Sequence, residues 1–123
     1  QESGGVWTAY TPTYGGFSVD PPDTVARYFR IGGLCYVAVY MVTVGTSNAD
    51  GFTVSAPLTS KSVTGAMAWY NSLAYYQDNA VTTRGGGMVR IVESAAIFTL
   101  YTTSSTWVAS GSKRAVFQIA YEV

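Results

Sequence analysis

Apolar and polar positions in this chain alternate in short runs, separated by clusters of Gly, Pro, Asn, Asp and Ser. The last run is the clearest. Ala115, Phe117, Ile119, Tyr121 and Val123 alternate with Val116, Gln118, Ala120 and Glu122. A period of two predicts a strand with the first set in the core and the second more exposed. Leu34–Val44 is apolar on both sides: Leu34, Tyr36, Ala38, Tyr40 and Val42 share one face, and Cys35, Val37, Val39 and Met41 the other. An antiparallel strand usually leaves one face to solvent, so the second face needs a cover: another sheet, a loop or a neighbouring subunit. Further strands are predicted at Val6–Tyr10, Phe17–Val19, Val25–Ile31, Phe52–Ala56, Ala66–Ala74, Met88–Val92, Ile97–Thr102 and Thr106–Ala109, where Val, Thr, Tyr, Phe and Ile concentrate.

The punctuation supports that pattern. Asp20-Pro21-Pro22-Asp23 reads as a rigid turn, because Pro fixes φ and donates no ladder hydrogen bond. Gly32-Gly33 fits a two-residue hairpin. Asn48-Ala49-Asp50-Gly51 reads as a hairpin end, and Gly85-Gly86-Gly87 as a flexible loop before a strand. One segment has two readings. Val63, Ala66, Met67, Tyr70, Leu73 and Ala74 fit helical spacing. Gly65, the Ser/Thr-rich approach and the bulky Trp69-Tyr70 and Tyr75-Tyr76 pairs favour a strand. The expected fold is all-β, an antiparallel sandwich of jelly-roll type.

Composition narrows the function. The chain has 123 residues, 48% hydrophobic and 11% charged, against about 25% charged in an average soluble domain. This predicts one domain over residues 6–123, after a linker or upstream remnant at 1–5 that suggests trimming from a longer chain or loss of a leader during maturation, and a C-terminal strand that suggests a native end. Scarce charge suits a surface partly covered by partner subunits. Net charge is zero and no basic run occurs, so neither nucleic acid nor an anionic membrane is an expected partner. No stretch reaches the length of an apolar membrane helix. Lys113-Arg114 is expected to flank a turn.

Catalytic chemistry finds little support. Histidine is absent and Cys35 is the single cysteine, lying in an apolar run and expected to be buried. A Ser-His-Asp triad, a Cys-His pair and a structural zinc site all lack their residues. The acids are Glu2, Asp20, Asp23, Asp50, Asp78, Glu93 and Glu122. Of these, Asp78 with Glu93 is the pair a glycosidase reading would use, although turn and strand-edge roles explain each more simply. No catalytic residue, cofactor or metal is therefore expected.

The ten Tyr, five Phe and three Trp are the one trace of a ligand site. They are densest in Trp69, Tyr70, Tyr75 and Tyr76, followed by Gln77, Asp78 and Asn79. Rings beside amide and carboxylate groups suit a glycan-binding loop. The alternative places Trp69 and one Tyr of each pair in the core and the others at a subunit contact. Trp7 and Trp107 are expected in the core or packed at strand ends.

Three stretches carry a resemblance: Trp7-Thr8-Ala9-Tyr10-Thr11-Pro12-Thr13 with Gly16-Phe17; Ala26-Arg27-Tyr28-Phe29-Arg30-Ile31-Gly32 with Cys35-Tyr36-Val37-Ala38-Val39; and Phe52-Thr53-Val54-Ser55-Ala56-Pro57-Leu58-Thr59. Together with the closing Ala120-Tyr121, they resemble a β-sandwich domain of tailed-bacteriophage virion proteins. The first half resembles it well and the second half in outline. The resemblance implies a homotrimeric C-terminal module of a tail fibre, head fibre or capsid decoration, on the virion surface. Its partners would be itself, other virion proteins and a host-surface glycan. Tyr36, Tyr40 and Val42 are the expected oligomer contact. The alternative is a carbohydrate-binding module appended to a larger enzyme.

Overall fold

The computed structural model describes residues 6–48, 52–62, 70–78, 81–102 and 111–123; for 78, 81–86, 101 and 102 it describes the backbone alone. All regular structure among them is β: β1 Thr8–Ala9, β2 Tyr14–Gly15, β3 Phe17–Val19, β4 Thr24–Ile31, β5 Leu34–Met41, β6 Gly45–Ser47, β7 Phe52–Ser55, β8 Tyr70–Asp78, β9 Val81–Ile91, β10 Ile97–Thr102 and β11 Gly111–Glu122. Every strand pairing is antiparallel. They join one sheet in the order β1-β4-β5-β11-β8-β9-β10-β7-β2, with β6 on β11 and β3 on β6, and the sheet curls into a half-barrel.

The alternation of the closing strand decides the curl. On β11, Ala115, Phe117, Ile119 and Tyr121 are buried, and β5 meets them with Cys35, Val37, Val39 and Met41. Val89, Ile91, Phe98, Leu100, Phe52 and Val54 complete the concave side. Phe98 stands edge-on to Phe117 and Tyr121, at 5.5 and 5.8 Å between ring centres. Each fully buried side chain of this size contributes roughly 1.5–3 kcal/mol, so the concave face holds the sheet together.

The two margins of the sheet are tied by the segment from Tyr10 to Tyr14. Tyr10 N donates to Ala26 O on β4, and Tyr10 Oη donates to Ser55 O on β7. Ser55 N donates to Thr13 O, and Tyr14 Oη donates to Thr24 Oγ1 at 2.6 Å.

Three expectations are corrected. Gly85-Gly86-Gly87 is not a loop but the middle of β9, opposite Tyr76, Tyr75 and Ala74. A cross-strand tyrosine supplies the packing that a glycine lacks. Lys113-Arg114 does not flank a turn: β11 begins at Gly111 and carries both residues. Lys113 follows the period of the core set and is fully buried, its Nζ donating to Ser47 Oγ at 2.7 Å. The strand expected at Ala66–Ala74 is present over its described part and does not end at Ala74 but continues to Asp78; residues 63–69 lie outside the described set, as do Thr106–Ala109 and 49–51. The Gly32-Gly33 hairpin forms as expected, with Ile31 opposite Leu34 and Gly32 at φ 57°.

Candidate functional site

Strand alternation separates the residues of the aromatic cluster. On β8 the side chains of Ala74 and Tyr76 are buried, while Leu73 and Tyr75 are 78% and 70% exposed. Tyr76 therefore belongs to the core and Tyr75 to the convex face. Tyr70 is half-buried and packs against the core. Trp69 and Asn79 lie outside the described residues, and Asp78 is described by its backbone alone.

Register then brings Tyr75 to residues far away in sequence. Val116 of β11 lies between Tyr75 of β8 and Tyr40 of β5, and Tyr40 is opposite Val25 of β4. The row Val25–Tyr40–Val116–Tyr75 crosses four strands on the convex face. Two inter-strand spacings separate the tyrosine backbones, about 10 Å. One pleat further, about 7 Å along the strands, Arg114 faces Gln77. These residues border an open groove of about 410 Å³, lined by Tyr40, Tyr75, Tyr76, Gln77, Arg114, Ala115 and Val116. Arg114 Nη1 donates to Val42 O at 2.9 Å, which fixes the guanidinium beside the tyrosines.

The three expected contact residues are placed differently from one another. Tyr36 is stacked on Phe29, with ring centres 5.4 Å apart and planes at 11°, and donates its hydroxyl to Gln118 Oε1 at 2.8 Å. Trp7 closes on the same pair edge-on, 4.9 Å from Phe29, and Arg27 stands over the indole at 4.7 Å. Trp7 is thus a strand-end packing residue of the convex face; Trp107 lies outside the described residues. Tyr40 lines the groove, and exposed Val42 borders it through the carbonyl that Arg114 binds.

Asp78 and Glu93 do not meet. Asp78 is opposite Val81 at one end of the β8–β9 ladder, whereas Tyr70 is opposite Ile91 at the other, two residues before Glu93. Eight residues of strand separate those ends, about 26 Å, well beyond the about 5–9.5 Å of a glycosidase pair. No cluster of three or more His, Cys, Asp or Glu occurs among the described residues. Cys35 is buried beneath the sheet, and burial pushes its thiol pKa up. Burial also raises the phenols of Tyr10 and Tyr121.

The groove therefore combines two accessible aromatic faces, an apolar floor, an amide and one cation. Such a surface can hold a ring-shaped polar ligand by stacking and hydrogen bonding. Segment reading found Tyr75, Tyr76 and Gln77 but missed Arg114 and the part Tyr40 plays with them. Extending the alternation of Ala115–Val123 back by one residue would have put Arg114 on the Val116 face. Comparison with protein-family models, with curated proteins and with solved structures finds no match.

Proposed function

We propose that this chain is a non-enzymatic structural protein of a tailed-phage virion surface, a fibre or decoration module that attaches to a host glycan. The observation that carries the attachment is the groove in which Tyr40 and Tyr75 flank Val116 beside Gln77 and Arg114. The virion assignment is supported by the resemblance of the first-half strand segments. A jelly-roll-type sandwich, assembled as a homotrimer, is the form this reading calls for. One stacked ring contributes on the order of 1 kcal/mol, so a single groove binds weakly and three grooves on one particle gain by avidity.

Trimer contact is assigned to the β4–β5 hairpin. Ile31 and Leu34 face each other across it and are 54% and 43% exposed. This reading seats a neighbouring copy on that exposed apolar pair in place of the expected Tyr36, Tyr40 and Val42. Sedimentation is expected to give three chains for the native protein and fewer for Leu34→Asp with the fold intact; a monomeric native protein refutes the contact. Glycan-array binding is expected to fall at least fivefold in Tyr75→Ala, because one of two stacking faces is lost. Unchanged binding by that variant rules out the groove. The same groove favours a second reading, a carbohydrate-binding module of a larger enzyme, for which the solution mass would be that of one chain.

A further inference from the structure

Among the described residues that line the groove, one side chain is charged, and that charge is positive. Arg114 lies on the convex face one pleat from Val116 and directly across from Gln77. No Asp or Glu is among the described lining residues. A guanidinium presents five donors in a planar fork. The Val42 carbonyl takes one of them at 2.9 Å, and this bond holds the group in place as a preset arm is held. The Gln77 amide beside it adds donors and an acceptor. A planar fork in a partly enclosed site matches a carboxylate in two-point fashion better than a hydroxyl. Tyr40 and Tyr75, on either side of the Val116 floor, leave room for a sugar ring between or upon them.

We infer that the groove selects a saccharide bearing a carboxylate, with the sugar ring against Tyr40 or Tyr75 and the carboxylate on Arg114. This rests on the glycan-binding reading and makes it narrower: a neutral sugar would leave the guanidinium facing a hydroxyl and gain little from it. The volume of about 410 Å³ falls at the small end of ligand sites, so one charged residue of a longer polysaccharide is the recognised unit.

The test uses the purified native protein with tri-galacturonate as the probe. Its carboxyl-reduced counterpart, tri-galactose, is the control. Titration calorimetry at low salt is expected to show tri-galacturonate binding at least tenfold more tightly than tri-galactose, the size of effect expected for a charge-assisted bond. Arg114→Gln should abolish that preference, and Arg114→Lys should restore only part of it, because the point charge returns without the fork. The native protein alone gives a second measurement. The preference should vanish as pH falls below about 3.5, where the uronate takes up its proton, provided that circular dichroism shows the fold intact there. Equal binding of both sugars, lost in Tyr75→Ala and kept in Arg114→Gln, overturns the carboxylate selection and leaves the glycan groove standing. Absence of binding by either sugar overturns this inference, and a glycan array without hits overturns the groove reading with it.

Discussion

Gly87 is the position where the packing of this sheet is most exposed to a one-carbon test. It is a β9 residue opposite Ala74, and a Cβ placed on it stands 2.7 Å from Tyr76 Cδ1 and 3.0 Å from Ala74 O. The first atom belongs to a ring that is 6% exposed and the second to backbone, so neither yields as the tip of a flexible side chain would. Gly87→Ala must therefore push the Tyr76 ring or part β8 from β9, at roughly 1–3 kcal/mol for an overpacked core site. Against this works the gain of about 0.4–1 kcal/mol from a less free unfolded chain. The net expectation is a loss of about 1–2 kcal/mol, or several degrees in Tm for a chain of this size. Urea unfolding at one fixed protein concentration measures it, because an oligomer's apparent stability depends on concentration. A second background isolates the cause. If the ring is the obstacle, the same change costs clearly less in Tyr76→Leu, where the branched chain can turn aside, and the difference is a coupling energy. A stabilised Gly87→Ala, or an equal cost in both backgrounds, refutes the reasoning.

Two further outcomes follow from the buried polar groups. Ser47→Ala removes one acceptor of the Lys113 ammonium inside the sheet and should cost roughly 0.5–2 kcal/mol in urea unfolding; an unchanged or raised stability would show that this bond contributes nothing. Tyr10, Cys35 and Tyr121 have pKa values raised by burial. In the unfolded chain these groups ionise from about pH 8.5 to 10, whereas the folded chain keeps them neutral. Their contribution is thus complete below about pH 8.5 and lost as pH rises further. Thermal melts from neutral to alkaline pH should show Tm falling, less steeply in Tyr121→Phe; a Tm that holds or rises contradicts this.

What could be read from the sequence was whatever depends on local period. Phe17–Val19 and Ile97–Thr102 form where the β-rich runs lie, and the closing strand turns Ala115, Phe117, Ile119 and Tyr121 inward as its alternation implies. The two-faced apolar pattern of Leu34–Met41 is also real: Cys35, Val37, Val39 and Met41 are buried, while Leu34 and Tyr40 stay exposed. What could not be read depends on cross-strand partners. Glycines signal a loop when taken alone, yet Gly85–Gly87 form strand, paired with Tyr76, Tyr75 and Ala74 of β8. A Lys-Arg pair signals solvent, yet Lys113 falls on the core period and donates to Ser47 inside the sheet. The groove joins positions 40, 75 and 116, and no window along the chain contains all three.

On the proposed reading, the register would let one convex face serve both assembly and attachment. On the β4–β5 ladder the rows run Ile31–Leu34, Phe29–Tyr36, Arg27–Ala38 and Val25–Tyr40. The hairpin row and the groove row are six residue steps apart along the strand, about 20 Å. The space between is filled from within the chain: Trp7 packs on Phe29 and Tyr36, and Arg27 covers Trp7. A copy seated on Ile31 and Leu34 therefore meets a wall of stacked rings before it reaches Tyr40. A contact built on Tyr40 and Val42 instead would cover Arg114 and close the groove. On that reading the exposed apolar residues at the two ends of β5 would serve separate roles, with the aromatic cluster between them. Leu34→Asp is then expected to act on assembly and Tyr75→Ala on glycan binding, each without the other.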